Sequence, residues 1–190
     1  MTTFAAFFDA NVFFGARLRS AILSLAQSGQ FRARWSADVH REWMRAVVKK
    51  RPDLTLADLD ATRRAMDSSV NDCLVTGYES LIATLTLPDK DDRHILAAAI
   101  VARASVIVTF NERDFPPEAL QPYGIHTCHP DEFLLDVADI DLGGFAHWIK
   151  GDLAHYIDPR IEPDQYLDDL RRSGVPATAD LLDKIRVLWA

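Results

Sequence analysis

The chain has 190 residues, 48% hydrophobic and 26% charged, a composition that supports a folded core and excludes wholesale disorder. No apolar stretch reaches the ~20 residues of a bilayer-spanning helix, and Met1 to Asp9 has no basic region and breaks at an aspartate, so a buried strand in a cytoplasmic protein is expected rather than a secretory signal. The net charge of −7 is unevenly spread: residues 1–51 hold nine arginines and lysines against Asp9, Asp38 and Glu42, and the remainder is strongly acidic.

Phe4 to Phe8 is a continuous apolar run, the pattern of a strand buried on both faces, and Asp9-Ala-Asn11 ends it. Leu18, Ile22, Leu25 and Ala26 recur at helical spacing, which predicts a helix over 16–27 stopped by Gly29. Residues 31–35 alternate apolar and basic, as a short strand does. Ser36 is then a good N-cap for a helix over 37–50, with Val39, Trp43, Ala46 and Val47 on one face, Glu42 beside Trp43, and Pro52 closing it. Thr55 with Asp58 three residues on reads as a capping box opening a helix over 55–70. The apolar segment 78–87 fits strand or helix equally well. After the turn Pro88 to Asp92, residues 93–103 form a helix whose alanines allow close approach to a sheet. Val106 to Phe110 is the clearest buried strand, and Ile125 to Cys128 reads as another. Beyond Pro130, prolines and glycines separate helical stretches at 131–137, 144–157, 163–172 and 178–189.

This order predicts an α/β fold: a central, mainly parallel sheet in a three-layer α/β/α arrangement over residues 1–135, with 136–190 as a C-terminal helical extension. Ligands of such sheets bind beyond the carboxyl ends of the strands, which puts Asp9 and the 111–114 loop at one edge.

The dinucleotide GxGxxG, the phosphate-cradling GxxxxGK[ST] and the GxSxG elbow are absent. Cys73 and Cys128 stand far apart, as reduced and partly buried thiols do, and the six histidines form no HExxH pattern. Four acidic residues remain where apolar runs stop or helices begin: Asp9, Glu42, Asp92 and Asp114. If the fold gathers them, they repel one another and raise each other's pKa unless a divalent cation takes their oxygens as ligands. A Mg²⁺ or Mn²⁺ enzyme is the first reading. The basic segment at 1–51 suits a polyanionic partner, because local potential steers approach within about 8 Å of screening, although solvated helix faces produce the same pattern.

Asp9-Ala-Asn11-Val-Phe after a first strand, a helix bearing Glu42, Pro88-Asp-Lys-Asp-Asp92-Arg-His-Ile-Leu-Ala-Ala-Ala, and Val108-Thr-Phe-Asn111-Glu-Arg-Asp114-Phe-Pro together resemble the PIN domain, particularly the VapC-like toxins of bacterial toxin–antitoxin pairs. The resemblance covers residues 4–135 and implies a PIN-like sheet and a Mg²⁺- or Mn²⁺-dependent endoribonuclease. Asp9, Glu42, Asp92 and Asp114 would be its acidic quartet, with Asp9, Asp92 and Asp114 on the metal and Glu42 orienting the attacking water. Of the doublet Asp91-Asp92, Asp92 is chosen because it directly precedes the Arg-His-Ile-Leu run. Asn11 and Asn111 would orient ligands or substrate, Asp89 would be a carboxylate beyond the direct ligands, and Arg93, with Arg17, Arg41 and Arg45, would hold the phosphate backbone. The implied partners are RNA and a cognate antitoxin whose C-terminal segment blocks the acidic pocket, with no membrane; the family also forms homodimers.

Competing readings differ at single positions. A haloacid dehalogenase-type phosphatase wants a second carboxylate two residues after the first, where this chain has Asn11, and a phosphoaspartate receiver wants a lysine where it has Asn111 and Arg113. A PIN-fold module that binds RNA or protein without cutting would not need the full quartet.

Overall fold

The computed structural model describes residues 3–190. Five strands, β1 (Ala5–Phe8), β2 (Arg32–Ser36), β3 (Leu74–Val75), β4 (Val106–Val108) and β5 (His126–Cys128), form one sheet in the order β3-β2-β1-β4-β5, and every pair is parallel. β1 is the central strand, with all four residues buried, so its unbroken apolar run answers to helices and strands on every side. The helices are α1 (Ala16–Ala26), α2 (Ala37–Lys50), α3 (Leu56–Ser69), α4 (Glu79–Ile82), α5 (Arg93–Val101), α6 (Pro117–Leu120), α7 (Pro130–Ile140), α8 (Leu142–Ala154), α9 (Pro163–Arg172) and α10 (Pro176–Lys184). Short 3₁₀ turns follow β1 (Ala10–Phe13) and β4 (Glu112–Asp114).

The chain runs outward from β1 through β2 to β3, then returns to β1's other side for β4 and β5. The direction of winding therefore reverses between β1 and β4, and the crevice at the carboxyl ends of those two strands is where such sheets take ligands. Local chemistry fixes the elements around it. The Ser36 hydroxyl accepts from the Val39 amide at 3.3 Å and so opens α2, and Thr55 and Asp58 form a reciprocal capping box at α3. α5 packs its alanine-rich face on β1, β2 and β4.

Three stretches around the sheet depart from the sequence reading. β3 is only two residues long, too short to carry a pattern, and the 78–87 segment contains the single helical turn α4 in otherwise irregular chain. β4 stops at Val108 rather than Phe110, because the Phe110 amide turns to the Asn11 side chain at 3.2 Å.

By internal contacts the chain divides into two compact units, residues 1–14 with 31–129, and residues 15–30 with 130–190. The expected boundary lay at 135/136 and gave α1 to the sheet domain. In the structure α1 packs on α8 and α9, burying Leu18, Ile22 and Leu25, and α7 packs on α8 and α10 from its first turn. Polar contacts bind the second unit. Arg17 pairs with Asp169 at 3.1 Å and lies over the Tyr156 ring at 3.9 Å; buried Asp152 accepts from Ser20 and, at 2.7 Å, from the Tyr166 hydroxyl. Asp131 accepts from the Ala177 and Thr178 amides at 2.8 and 2.7 Å, a carboxylate on the positive end of α10. Cys73 and Cys128 are buried and form no disulfide among the described residues, and no helix among them is long and apolar enough to cross a membrane.

Candidate active site

Asp9 stands one residue past β1, where its amide donates to the Val108 carbonyl at 3.1 Å and extends the ladder to the crevice. Because Phe8 lies opposite Val108, Asp9 meets Thr109. The Thr109 hydroxyl donates to Asp9 Oδ2 at 2.7 Å and the Asn11 amide donates to the same oxygen at 2.6 Å. Asn11 Nδ2 is also 3.0 Å from Thr109 Oγ1, and the Asn111 backbone amide donates to that hydroxyl at 3.0 Å. One carboxylate, one hydroxyl and one amide thus lock the two strand ends together. Asp9 is 6% exposed. Burial pushes its carboxyl up from the usual range, with Glu42 adding to the rise, while the Thr109 and Ala10 hydrogen bonds and the nearby His94 hold it down.

Asp92 is the residue before α5, a position where aspartates commonly cap, but its side chain makes no capping bond. It lines the crevice instead. Its pKa is raised to about 7, first by burial and then by the charges of Asp9, Asp114, Asp89 and Glu42, so four other carboxylates act on one. Glu42 comes from α2 and is partly exposed, and His94 Nε2 of α5 stands 2.8 Å from its Oε1. The crevice holds about 400 Å³ and is walled by Asp9, Asn11, Phe14, Glu42, Trp43, Ala46, Asp92 and Asn111. Lys50 lies over Phe14, 5.2 Å from the ring centroid, which sets a cation at its rim.

Asp9, Glu42, Asp92, Asn11 and Asn111 therefore share one cleft. Asp114, in the 3₁₀ turn after β4, is not among the residues that wall the cleft, and its charge raises the Asp92 carboxyl; the charge of Asp89 does so too, while Asp89 accepts the Asp91 amide at 2.8 Å. Asp91 itself is exposed and outside the wall. Arg93 is not among the residues that wall the cleft, and its buried Nε has no hydrogen-bond partner among the described residues. Arg17 belongs to the second unit, where it is ion-paired with Asp169. Arg34, Arg41 and Arg51 pair with Asp72, Asp38 and Asp53, which leaves the basic segment less charged than its count suggests.

The oxygens suit a hard cation such as Mg²⁺ or Mn²⁺, and carboxylates that raise one another's pKa are those a cation relieves. Among the described residues, no three His, Cys, Asp or Glu side chains stand close enough to enclose an ion. Mg²⁺ is usually held by one or two carboxylates with several waters rather than in a closed cage, so an open cleft of this kind fits it. Thr109 and His94 escaped the sequence reading. Each had a visible signal: Thr109 is a polar residue inside an apolar strand run, and His94 interrupts an otherwise aliphatic helix two residues after Asp92.

A family model described as PIN domain matches residues 5–113, more than half of the chain and every residue named above as walling the cleft; Asp114 lies one residue beyond the match. The chain belongs to the PIN domain family. A second model, described as VapC50 C-terminal domain, matches residues 130–184, which lie within the second unit. A curated relative from Mycobacterium tuberculosis (strain ATCC 25618 / H37Rv), named "Putative ribonuclease VapC50", is 48% identical over 94 residues, 50% of this chain and 55% of that protein. The chain thus spans about half the length of the relative it matches. No solved structure matches.

Proposed function

We propose that the protein is a Mg²⁺- or Mn²⁺-dependent endoribonuclease, the toxin of a toxin–antitoxin pair, with its nuclease centre in the cleft between β1 and β4. The observation that carries this reading is the convergence of Asp9, Glu42 and Asp92 on one cleft, where burial first and then the charges of Asp9, Asp114, Asp89 and Glu42 raise the Asp92 carboxyl to about 7. Metal-free, such a group is destabilising; a cation relieves it. Membership of the PIN family and the ribonuclease name of the relative agree with this chemistry.

Asp9 and Asp92 would hold the ion, with Asp114 acting at longer range. When bound, the ion would neutralise charge on the scissile phosphate and lower the pKa of a water for in-line attack on phosphorus. Thr109 and Asn11 keep Asp9 in one orientation, so no reorganisation is needed when substrate arrives. Glu42 orients the attacking water and accepts its proton. Asn111 and Lys50, at the wall and rim, meet the phosphate backbone. Asn11 cannot act as the general acid a dehalogenase-type phosphatase would need, since it is a neutral amide already spent on Asp9. The antitoxin would be a protein with a basic side chain that enters the cleft in the metal's stead.

Purified chain incubated with total RNA is expected to cleave with Mg²⁺ or Mn²⁺ and to stop in chelator or as Asp9→Asn. Cleavage that survives both changes places the chemistry elsewhere. Binding of RNA without cleavage in either metal would favour the non-cutting module.

A further inference from the structure

The inward face of α5 is aliphatic from Ile95 to Ala99, yet His94 is buried with it. A buried imidazole without hydrogen bonds is destabilising, because its polar nitrogens have lost water and gained nothing. Neither ring nitrogen of His94 has a partner in hydrogen-bond alignment among the described residues. The polar group it does meet is Glu42, with Nε2 and Oε1 2.8 Å apart. The imidazole also acts electrostatically on Asp9. A purely structural residue at this position would be leucine or isoleucine, so the histidine is explained by the carboxylates it faces.

We propose that His94 is a positioning residue that holds Glu42 in its catalytic rotamer, an inference that rests on the nuclease reading of the cleft. The Glu42 side chain is 43% exposed and long, and fixing such a side chain costs rotamer freedom. His94 offsets that cost. It stands in the first turn of α5, two residues after Asp92, so whatever places Asp92 at the cleft also places the imidazole. A proton on Nε2 would let the imidazole donate to Oε1, 2.8 Å away, and would leave Oε2 for the attacking water. Glu42 and Asp92 come from separate helices, and this contact ties their spacing together.

The test uses the full chain as His94→Ala, His94→Gln, Glu42→Gln and the double variant His94→Ala with Glu42→Gln, each checked for wild-type melting. His94→Ala is expected to lower kcat for RNA cleavage about 10- to 100-fold at little change in KM, the mark of lost transition-state positioning. His94→Gln presents an amide N–H close to the Nε2 position and recovers most of that loss. In the Glu42→Gln background, His94→Ala costs nothing further, because the two act as one unit. Additive losses, a rise in KM with kcat kept, or glutamine no better than alanine would overturn the assignment. A second readout needs no turnover: the ring-nitrogen resonances of His94 in the metal-free chain shift on Glu42→Gln. A wild-type chain that cleaves no RNA sinks the nuclease reading and the catalytic role with it, whereas unshifted resonances in a chain that does cleave sink this inference alone.

Discussion

Replacing Asp92 by asparagine should make the metal-free protein more stable, and only at high pH. The Asp92 carboxyl is raised from the ordinary 3.8 to about 7. A folded chain that keeps a proton the unfolded chain has released loses stability as pH rises, and the loss accumulates from about pH 4 to about pH 7. At 1.36 kcal/mol per pH unit the full gap is worth at most about 4 kcal/mol. Asp92 is only half-buried, and solvent screening and side-chain relaxation reduce this to about 1–2 kcal/mol. The asparagine would carry no charge, so the variant gains that amount at about pH 8 and nothing at about pH 4, where wild-type Asp92 is already neutral. For a chain of this size the gain is about 3–6 °C in the melting of the sheet unit. Thermal unfolding in chelator at both pH values measures it. Saturating Mg²⁺ should then close the gap, because ligand binding to the folded state stabilises wild type and has lost its site in the variant. Equal stability differences at the two pH values, or a variant less stable than wild type at the higher one, would refute the view that Asp92 sits in unrelieved negative charge.

Thr109→Val keeps the shape of the side chain but removes a donor to Asp9 and an acceptor for the Asn111 amide. It should cost about 1–3 kcal/mol in urea unfolding and weaken metal binding by calorimetry, since the bond that holds the Asp9 carboxyl down is lost; unchanged affinity would argue that Asp9 is oriented by Asn11 alone. Ser36→Ala deletes the cap of the helix that carries Glu42 and should lower stability by about 1 kcal/mol, read from the same unfolding curves. A chain ending at His129 uncovers Leu18, Ile22 and Leu25 of α1, on the order of 5 kcal/mol of apolar burial. That is comparable to the whole stability of a domain, so the truncated chain should be unfolded by circular dichroism; a soluble fragment with a cooperative melt would show that α1 needs none of α8 and α9.

How far the residues alone disclosed these features depends on the range of the interaction involved. Capping is local, and Ser36, Thr55 and Asp58 declare themselves within three residues. β1 and β4 are buried on both faces, so their runs are apolar throughout and legible, whereas β3 pairs through two residues and leaves no period to detect. The amphipathic stripe of α1 was equally visible, but an apolar stripe does not say what covers it. The same leucines would fit the sheet that α1 connects or the C-terminal helices it packs on, and only the fold decides. The cleft follows the same rule. Asn11 is two residues from Asp9 and its role can be guessed from spacing, while Thr109 is one hundred residues away and reaches Asp9 only because Phe8 and Val108 are in register. A slip of one residue would turn Thr109 to the other face of the sheet and leave Asp9 buried with one donor fewer. The register of β1 against β4 is therefore itself part of the site, and it is held by the apolar side chains of those strands rather than by any acidic residue. Enlarging buried Val108 to phenylalanine should accordingly impair metal binding as well as stability, although Val108 does not line the cleft. Calorimetric titration with Mn²⁺ beside a melting curve separates the two effects, and a variant that is destabilised by about 1–3 kcal/mol yet binds Mn²⁺ as wild type does would show that the strand-end lock survives strain in the ladder beneath it.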